Sequence, residues 1–332
     1  MRQARVLDSA THFLRFGIVG ASKGFVEALD RAKAVAENGS SKKPVLLIGE
    51  TGVGKDLIAK AIHRLGPRRE KPFVVVPHLL ESTARSELFG HVKGAFTGAH
   101  ADKAGFFEAA NGGAVYFSDV AAMPLEIQPM LLSVFDNKQI IRVGATAPIK
   151  TDVGVICATN QDLKQLTDMG LFREDLYYRL NVLSIEIPPL RERPGDIPAL
   201  VEYFLRQHGV QGKLEVEQKT LTALMESDWP GNVRQLEAAV SYAIAFAQDG
   251  NRGFNRELMA RMRKEVNQAG DKPTCTLMGA LLQAGSTRGA ARSLGLPEAT
   301  LRKTIAKSGL RLLRDDGNRI IGFQPSDGNG HL

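Results

Sequence analysis

Between residues 49 and 56 the chain reads Gly49-Glu50-Thr51-Gly52-Val53-Gly54-Lys55-Asp56. Glycines at this spacing let backbone N–H groups surround phosphates, the lysine reaches the outer ones, and a helix beginning there adds its positive end. This is chemistry for a nucleotide. A second stretch, Gly94-Ala95-Phe96-Thr97-Gly98-Ala99, has glycines on both sides of one aromatic and one hydroxyl. Such spacing suits a tight projection that carries Phe96 and Thr97 at its tip toward a partner. An ordinary turn with its Phe tucked into the core is the plainer alternative.

The flanking segments are those a phosphate loop requires. Pro44-Val45-Leu46-Leu47-Ile48 is a continuous apolar run, as in a strand buried on both faces of a parallel sheet, and a helix through Leu57, Ile58 and Ala61 follows. Asp56 occupies the slot where phosphate loops of this type carry Ser or Thr, which removes a hydroxyl from the magnesium site. Further strands are predicted at residues 72–76, 112–120 and 152–160, and a helix at residues 25–36 from Phe25, Ala28, Leu29, Ala32 and Ala36. Near the end, Leu277, Ala280 and Leu281, then residues 287–294, then a helix opened by Pro297, with Gly295 at the turn, read as a helix-turn-helix. Residues 271–332 hold nine Lys or Arg against five acids.

At 332 residues and 43% hydrophobic content the chain has material for two or three packed units. A net charge of +7 and a pI near 9.4 favour an anionic partner. Cys157 and Cys275 form neither a disulfide framework nor a metal cluster, no apolar run reaches membrane-spanning length, and no signal-peptide core follows Met1. A reduced, cytoplasmic setting away from membranes is expected.

The string Glu87-Leu88-Phe89-Gly90-His91-Val92-Lys93-Gly94-Ala95-Phe96-Thr97-Gly98-Ala99 resembles the signature of the bacterial enhancer-binding proteins, AAA+ activators of RNA polymerase carrying sigma-54. The resemblance spans about residues 18–310 and implies an α/β fold: an AAA+ parallel sheet flanked by helices, an all-α lid and a C-terminal Fis-type helix-turn-helix. It implies ATP and Mg2+ as ligands, with Gly49, Glu50, Thr51, Gly52, Val53, Gly54, Lys55 and Asp56 around the phosphates. Thr159 and Asn160 would sense the γ-phosphate, and Arg234, in Trp229-Pro230-Gly231-Asn232-Val233-Arg234, would reach back from the lid. Arg173 and Arg179, in what is otherwise a charged helix with i,i+3 and i,i+4 pairs, would act as arginine fingers in a neighbouring subunit's site. The Gly94 to Ala99 loop would touch sigma-54, and Glu298, Ala299, Thr300, Arg302 and Lys303 would face the major groove of double-stranded DNA at an upstream activating site.

Departures from the family bear on catalysis. The family has two successive carboxylates after the third strand, the first holding magnesium through water and the second polarising the attacking water. Here the pair is Ser118 and Asp119. A slip placing Asp119 in the first slot would turn every strand side chain over, so Asp119 is assigned to the second, one methylene short, and becomes the carboxylate available for both catalysis and metal. Asp119 capping the next segment is the plainer alternative. Pro77-His78 replaces the Asn-Cys pair of the family. The site is expected to bind nucleotide and to hydrolyse it slowly or not at all.

The domains expected are a short tail (1–17), the α/β domain (18–190), the lid (191–247), a linker with a basic helical piece (248–273), the helix-turn-helix (274–312) and a disordered tail (313–332). An N-terminal regulatory domain is not expected, leaving control to a separate inhibitory or co-activating protein, or to abundance. The function expected is sigma-54-dependent activation by a ring, a hexamer or a mixed ring. A static regulator that holds ATP without turning it over is the alternative. A small-molecule kinase would need a substrate-binding insertion, and none is visible.

Overall fold

The computed structural model describes residues 13–38, 43–77, 79–209, 215–216, 218–246, 253–254, 286–288, 302, 310–314 and 320–325. Helix α1 (Lys23–Asn38) precedes β1 (Val45–Ile48), and α2 (Lys55–Leu65) leads to β2 (Phe73–Val76). After α3 (Glu81–Phe89) and the one-turn α4 (Phe106–Ala109) comes β3 (Ala114–Phe117), then α5 (Gln128–Asn137). The short pair β4 (Gln139–Ile140) and β5 (Ile149–Lys150) precedes β6 (Gly154–Thr159), α6 (Leu163–Asp168), α7 (Glu174–Leu180) and β7 (Leu183–Glu186).

Five of these strands form one parallel sheet in the order β2-β3-β6-β1-β7. Alternation along the strands divides the core in two, as a sheet covered on both faces requires. Leu46, Val115, Phe117, Val155 and Cys157 pack on one face with Leu88, Phe89, Phe107, Leu131, Leu176 and Leu180. Val45, Leu47, Tyr116, Ile156 and Ala158 pack on the other with the α1 and α2 residues Phe25, Leu29, Ile58 and Ile62. The predicted strands fall where expected, and the loop of residues 90–105 leaves the core between α3 and α4. Strand β7, which pairs with β1 at the sheet edge, was not among the expected elements.

Two 3-10 turns, Leu190–Glu192 and Pro194–Asp196, lead into the lid helices α8 (Ile197–Gln207), α9 (Gln218–Met225) and α10 (Asn232–Phe246). Leu200, Val201, Phe204, Leu224, Leu236 and Val240 form its interior. The one tryptophan, Trp229, is buried there, its indole N–H donating to the Leu224 carbonyl at 2.8 Å. Within the segment expected to be linker, β9 (Gly253–Phe254) pairs in parallel with β8 (Glu215–Val216).

Arg193, between the two turns, is 2% exposed. It donates from Nη2 to the Val53 carbonyl at 3.2 Å, lies 4.0 Å over the Phe25 ring, and has Asp196 3.9 Å away. Asp196 accepts from the N–H groups of Ala21 and Ser22 and from the Ser22 hydroxyl, at 2.7–2.9 Å, tying the segment before α1 to the lid hinge.

Contacts divide the chain into residues 1–255 and 256–332. In the second unit, β10 (Leu310–Arg314) and β11 (Ile320–Pro325) pair antiparallel. Within the segment expected to be a disordered tail from residue 313, residues 313–314 and 320–325 are thus strand, with apolar Leu310, Leu312 and Leu313 and the Ile320-Ile321 pair supplying strand-forming side chains. Most of the segment expected to be the helix-turn-helix, with Glu298, Ala299, Thr300 and Lys303, lies outside the described residues, and Arg302 is described as exposed and helical.

Candidate functional site

The phosphate loop joins the C-terminal end of β1, an interior strand between β6 and β7, to α2. Gly54 is the N-cap of α2 at φ 106°, and Gly52 has φ 82°. At Gly52 a side chain is excluded twice, by that φ and because an added Cβ would collide with the Gly231 carbonyl of the lid. Lys55 turns back over its own loop, donating from Nζ to the carbonyls of Gly49 (2.7 Å) and Glu50 (3.0 Å). Burial pulls its amine below the ordinary lysine range, while the charges of Asp56 and then Asp119 pull it back up. An open loop of N–H donors, a helix start and this lysine fit a nucleotide's phosphates.

The neighbouring strands bring further expected residues here. Asn160, just past β6, donates from Nδ2 to the Thr51 hydroxyl at 3.2 Å. Thr159 is 1% exposed, and its hydroxyl is engaged with Gln161, donating to the carbonyl at 3.2 Å and accepting from the N–H at 3.0 Å. Asn160 therefore reaches the loop through its side chain and Thr159 through its carbonyl, which accepts from the Gly49 N–H at 3.2 Å. After β3, Ser118 is exposed, and Asp119 accepts from the Ala121 N–H at 3.2 Å. That bond is the capping contact weighed above, and it occupies one of the two carboxylate oxygens. Asp56 has one oxygen engaged as well, by the Tyr116 hydroxyl at 2.6 Å. Oxygen donors of this kind suit a hard divalent cation.

From the lid, Arg234 donates its N–H to the Gly52 carbonyl at 3.3 Å. Sequence reasoning passed over its neighbour Asn232, which makes the larger connection. Asn232 is fully buried with φ 53°. Its Oδ1 accepts from the Leu190 N–H at 2.7 Å, and its Nδ2 donates to the Thr51 carbonyl (3.0 Å) and Glu50 Oε2 (3.1 Å). Glu50 also receives Arg191 at 2.7 and 2.8 Å, and these partners hold its carboxyl below the usual range, Arg191 most strongly. One asparagine thus joins phosphate loop, hinge and lid. Asn tolerates a left-handed backbone, which is the only sequence signal that pointed to it.

Arg173 and Arg179 stand apart from this cluster. The Arg173 guanidinium pairs with Asp175 at 2.8 and 3.0 Å, and Arg179 pairs with Asp136 at 3.0 Å. Neither has a contact with the chain's own phosphate loop among the described residues.

The Gly94 to Ala99 loop closes on itself, the Gly94 N–H donating to the Ala99 carbonyl at 2.8 Å, with Gly94 and Gly98 at φ 81° and 102°. Phe96 is 47% exposed at its tip, one edge against His91 at 4.9 Å. The base is rigid. His91 and Lys103 exchange backbone hydrogen bonds at 2.9 Å, and Val143 bonds to Gly90 and Val92. Arg142 forks onto Glu108 at 2.7 and 2.9 Å and holds that carboxyl low.

Residues 18–186 match the family model of the sigma-54 interaction domain, and residues 191–274 that of the AAA+ ATPase lid domain. Over 215 residues the chain is 46% identical to the sigma-54-dependent transcriptional activator SfnR of Pseudomonas putida, covering 63% of this chain and 59% of that one. It is 37% identical over 320 residues to the C4-dicarboxylate transport transcriptional regulatory protein DctD of Pseudomonas aeruginosa, covering 93% of this chain and 68% of that one. The structure of NtrX from Brucella abortus in complex with ATP superposes with a TM-score of 0.65 at 30% identity, over 88% of this chain and 69% of that one. A phosphate loop at the end of an interior strand, a lid latched over it and a braced, exposed loop therefore sit in a chain that belongs to the sigma-54-dependent transcriptional activators.

Proposed function

We propose that the protein binds ATP with Mg2+ at the phosphate loop, assembles as a ring, and presses Phe96 and Thr97 against sigma-54 RNA polymerase to promote open-complex formation. Residues 274–312 bind an upstream DNA site, and the protein works in the cytoplasm, under a separate inhibitory or co-activating protein where regulation requires one. The observation that carries this reading is the half-exposed Phe96 on a loop whose base is fixed by the Arg142–Glu108 fork. A projecting loop that holds an aromatic at its tip on a braced base is suited to partner contact. Lys55 and the loop N–H groups hold the phosphates, Asn160 ties the end of β6 to Thr51, and Asn232 transmits loop position to the lid. Arg173 and Arg179, which make no contact with their own loop among the described residues and pair with Asp175 and Asp136, would exchange those partners for a neighbouring subunit's nucleotide. Magnesium, held among Asp56, Asp119 and the phosphates, would offset phosphate charge.

A second reading is a regulator that holds ATP without hydrolysing it, in a mixed ring or as a static partner. Ser118 in the first carboxylate slot and the engaged oxygen of Asp119 favour it. Steady-state ATP hydrolysis across protein concentrations, alongside the Ser118→Asp, Asp119→Glu variant, separates the two. Turnover per subunit that rises with concentration and falls in Arg173→Ala supports the ring motor. Tight ATP binding with turnover only in the double variant supports the static regulator.

A further inference from the structure

Tyr116 is a strand residue with a polar end. It is 1% exposed, and its ring stacks on Phe73 at 5.9 Å and 16° between planes, so packing fixes where its hydroxyl lies. Its acceptor is Asp56 Oδ1 at 2.6 Å, a short charge-assisted bond.

Asp56 is itself exposed, in the first turn of α2. A solvated carboxylate at such a place samples several rotamers, and the Tyr116 hydroxyl selects one. Asp119 is arranged alike, with one oxygen on the Ala121 N–H. Each carboxylate keeps its other oxygen without a partner among the described residues. Magnesium bound with a nucleotide takes one or two protein carboxylates alongside phosphate oxygens. Ser118 brings no carboxylate to that task.

We propose that Tyr116 is a positioning residue that aims the Asp56 carboxylate at the magnesium of a bound nucleotide, so that Asp56 and Asp119, rather than Ser118, are the protein's oxygen ligands for it. The inference rests on reading the loop as a nucleotide site. It differs from a general packing role because it predicts an effect confined to the metal-bound ligand.

The test is the affinity of the full chain for a fluorescent ATP analogue, measured in excess Mg2+ and again in EDTA. Tyr116→Phe removes the hydroxyl and keeps the stacked ring. Removing a partner that orients a metal ligand costs about tenfold in metal affinity. The advantage conferred by Mg2+ should therefore shrink by about tenfold in Tyr116→Phe and in Asp56→Asn, with the EDTA affinity of Tyr116→Phe unchanged. Ser118→Ala should keep the natural advantage. Equal losses in both buffers for Tyr116→Phe would assign the tyrosine to packing alone and overturn the proposal, as would an advantage that depends on Ser118 instead. Failure of the natural protein to bind in either buffer is a separate pattern, which overturns the nucleotide reading and this inference together.

Discussion

Replacing Asn232 by alanine should loosen the lid from the phosphate loop. The buried Leu190 N–H loses its acceptor, an omission that costs about 1–3 kcal/mol, and the partly buried bond to the Thr51 carbonyl contributes about 1 kcal/mol more. The bond to Glu50 is left out of the sum, because that carboxylate is 41% exposed and keeps Arg191. Alanine at φ 53° adds roughly 1 kcal/mol of backbone strain. The total is about 4 kcal/mol. Trp229, three residues away in the lid and the one tryptophan in the chain, reports the transition by its own fluorescence. With a urea dependence of about 3 kcal/mol/M, the lid midpoint should fall by roughly 1.3 M. Asn232→Gly relieves the strain but not the lost bonds, so it should recover about 0.3 M of that loss. A shift in the alanine variant below about 0.3 M would refute the latch. Identical midpoints for alanine and glycine would refute the backbone argument.

Other consequences can be measured directly. Glu50 and Glu108 are both held below the ordinary glutamate value of 4.5 by arginine partners, so the stability they confer is present above pH 4.5 and is lost as pH falls through their lowered folded values. Glu50→Gln should flatten the acid limb of the Trp229 transition, and an unchanged limb would count against the linkage. Gly52→Ala, which drives a Cβ into the Gly231 carbonyl, should abolish nucleotide binding and shift the lid transition together, as read by analogue fluorescence and urea titration. Phe96→Ala removes the exposed tip, and losing an anchoring aromatic costs about 2 kcal/mol, or roughly 30-fold in affinity for sigma-54 polymerase. Its ATP affinity should not change, and a parallel loss of nucleotide binding would contradict the separation of loop from site.

The parts of the fold legible in the sequence were those in which several local signals agree. Gly49 to Asp56 could be read because an apolar run precedes it and a helix pattern follows. Asn232 could not. Its side chain joins residues 42 and 181–182 positions away, and no local pattern announces such a bond. Arg193 looked like one more charge in a hinge of Pro, Arg and Glu, yet it is buried against Phe25, its charge stabilised by a ring face and a carbonyl that come from distant segments. Leu183, Ile185 and Ile187 alternate with polar residues as an edge strand should, but the run is short and follows a charged helix, and β7 was missed there. Tyr116 falls inside the strand expected at residues 112–120, and nothing local marks its hydroxyl, whose partner lies 60 residues earlier.

The sheet order carries a consequence for synthesis. Strand β1 emerges early, but its two neighbours are β6 and β7, with Val45 opposite Ile156 on one side and Leu183 on the other. More than a hundred residues must leave the ribosome before either edge of Val45-Leu46-Leu47-Ile48 is covered, and such long-range pairing is slow. During that interval the nascent chain exposes a short, uncharged, strand-forming segment of the kind that aggregates. Chains interrupted before residue 183 keep that hazard for good, whereas synthesis past Glu186 completes the sheet around its oldest strand.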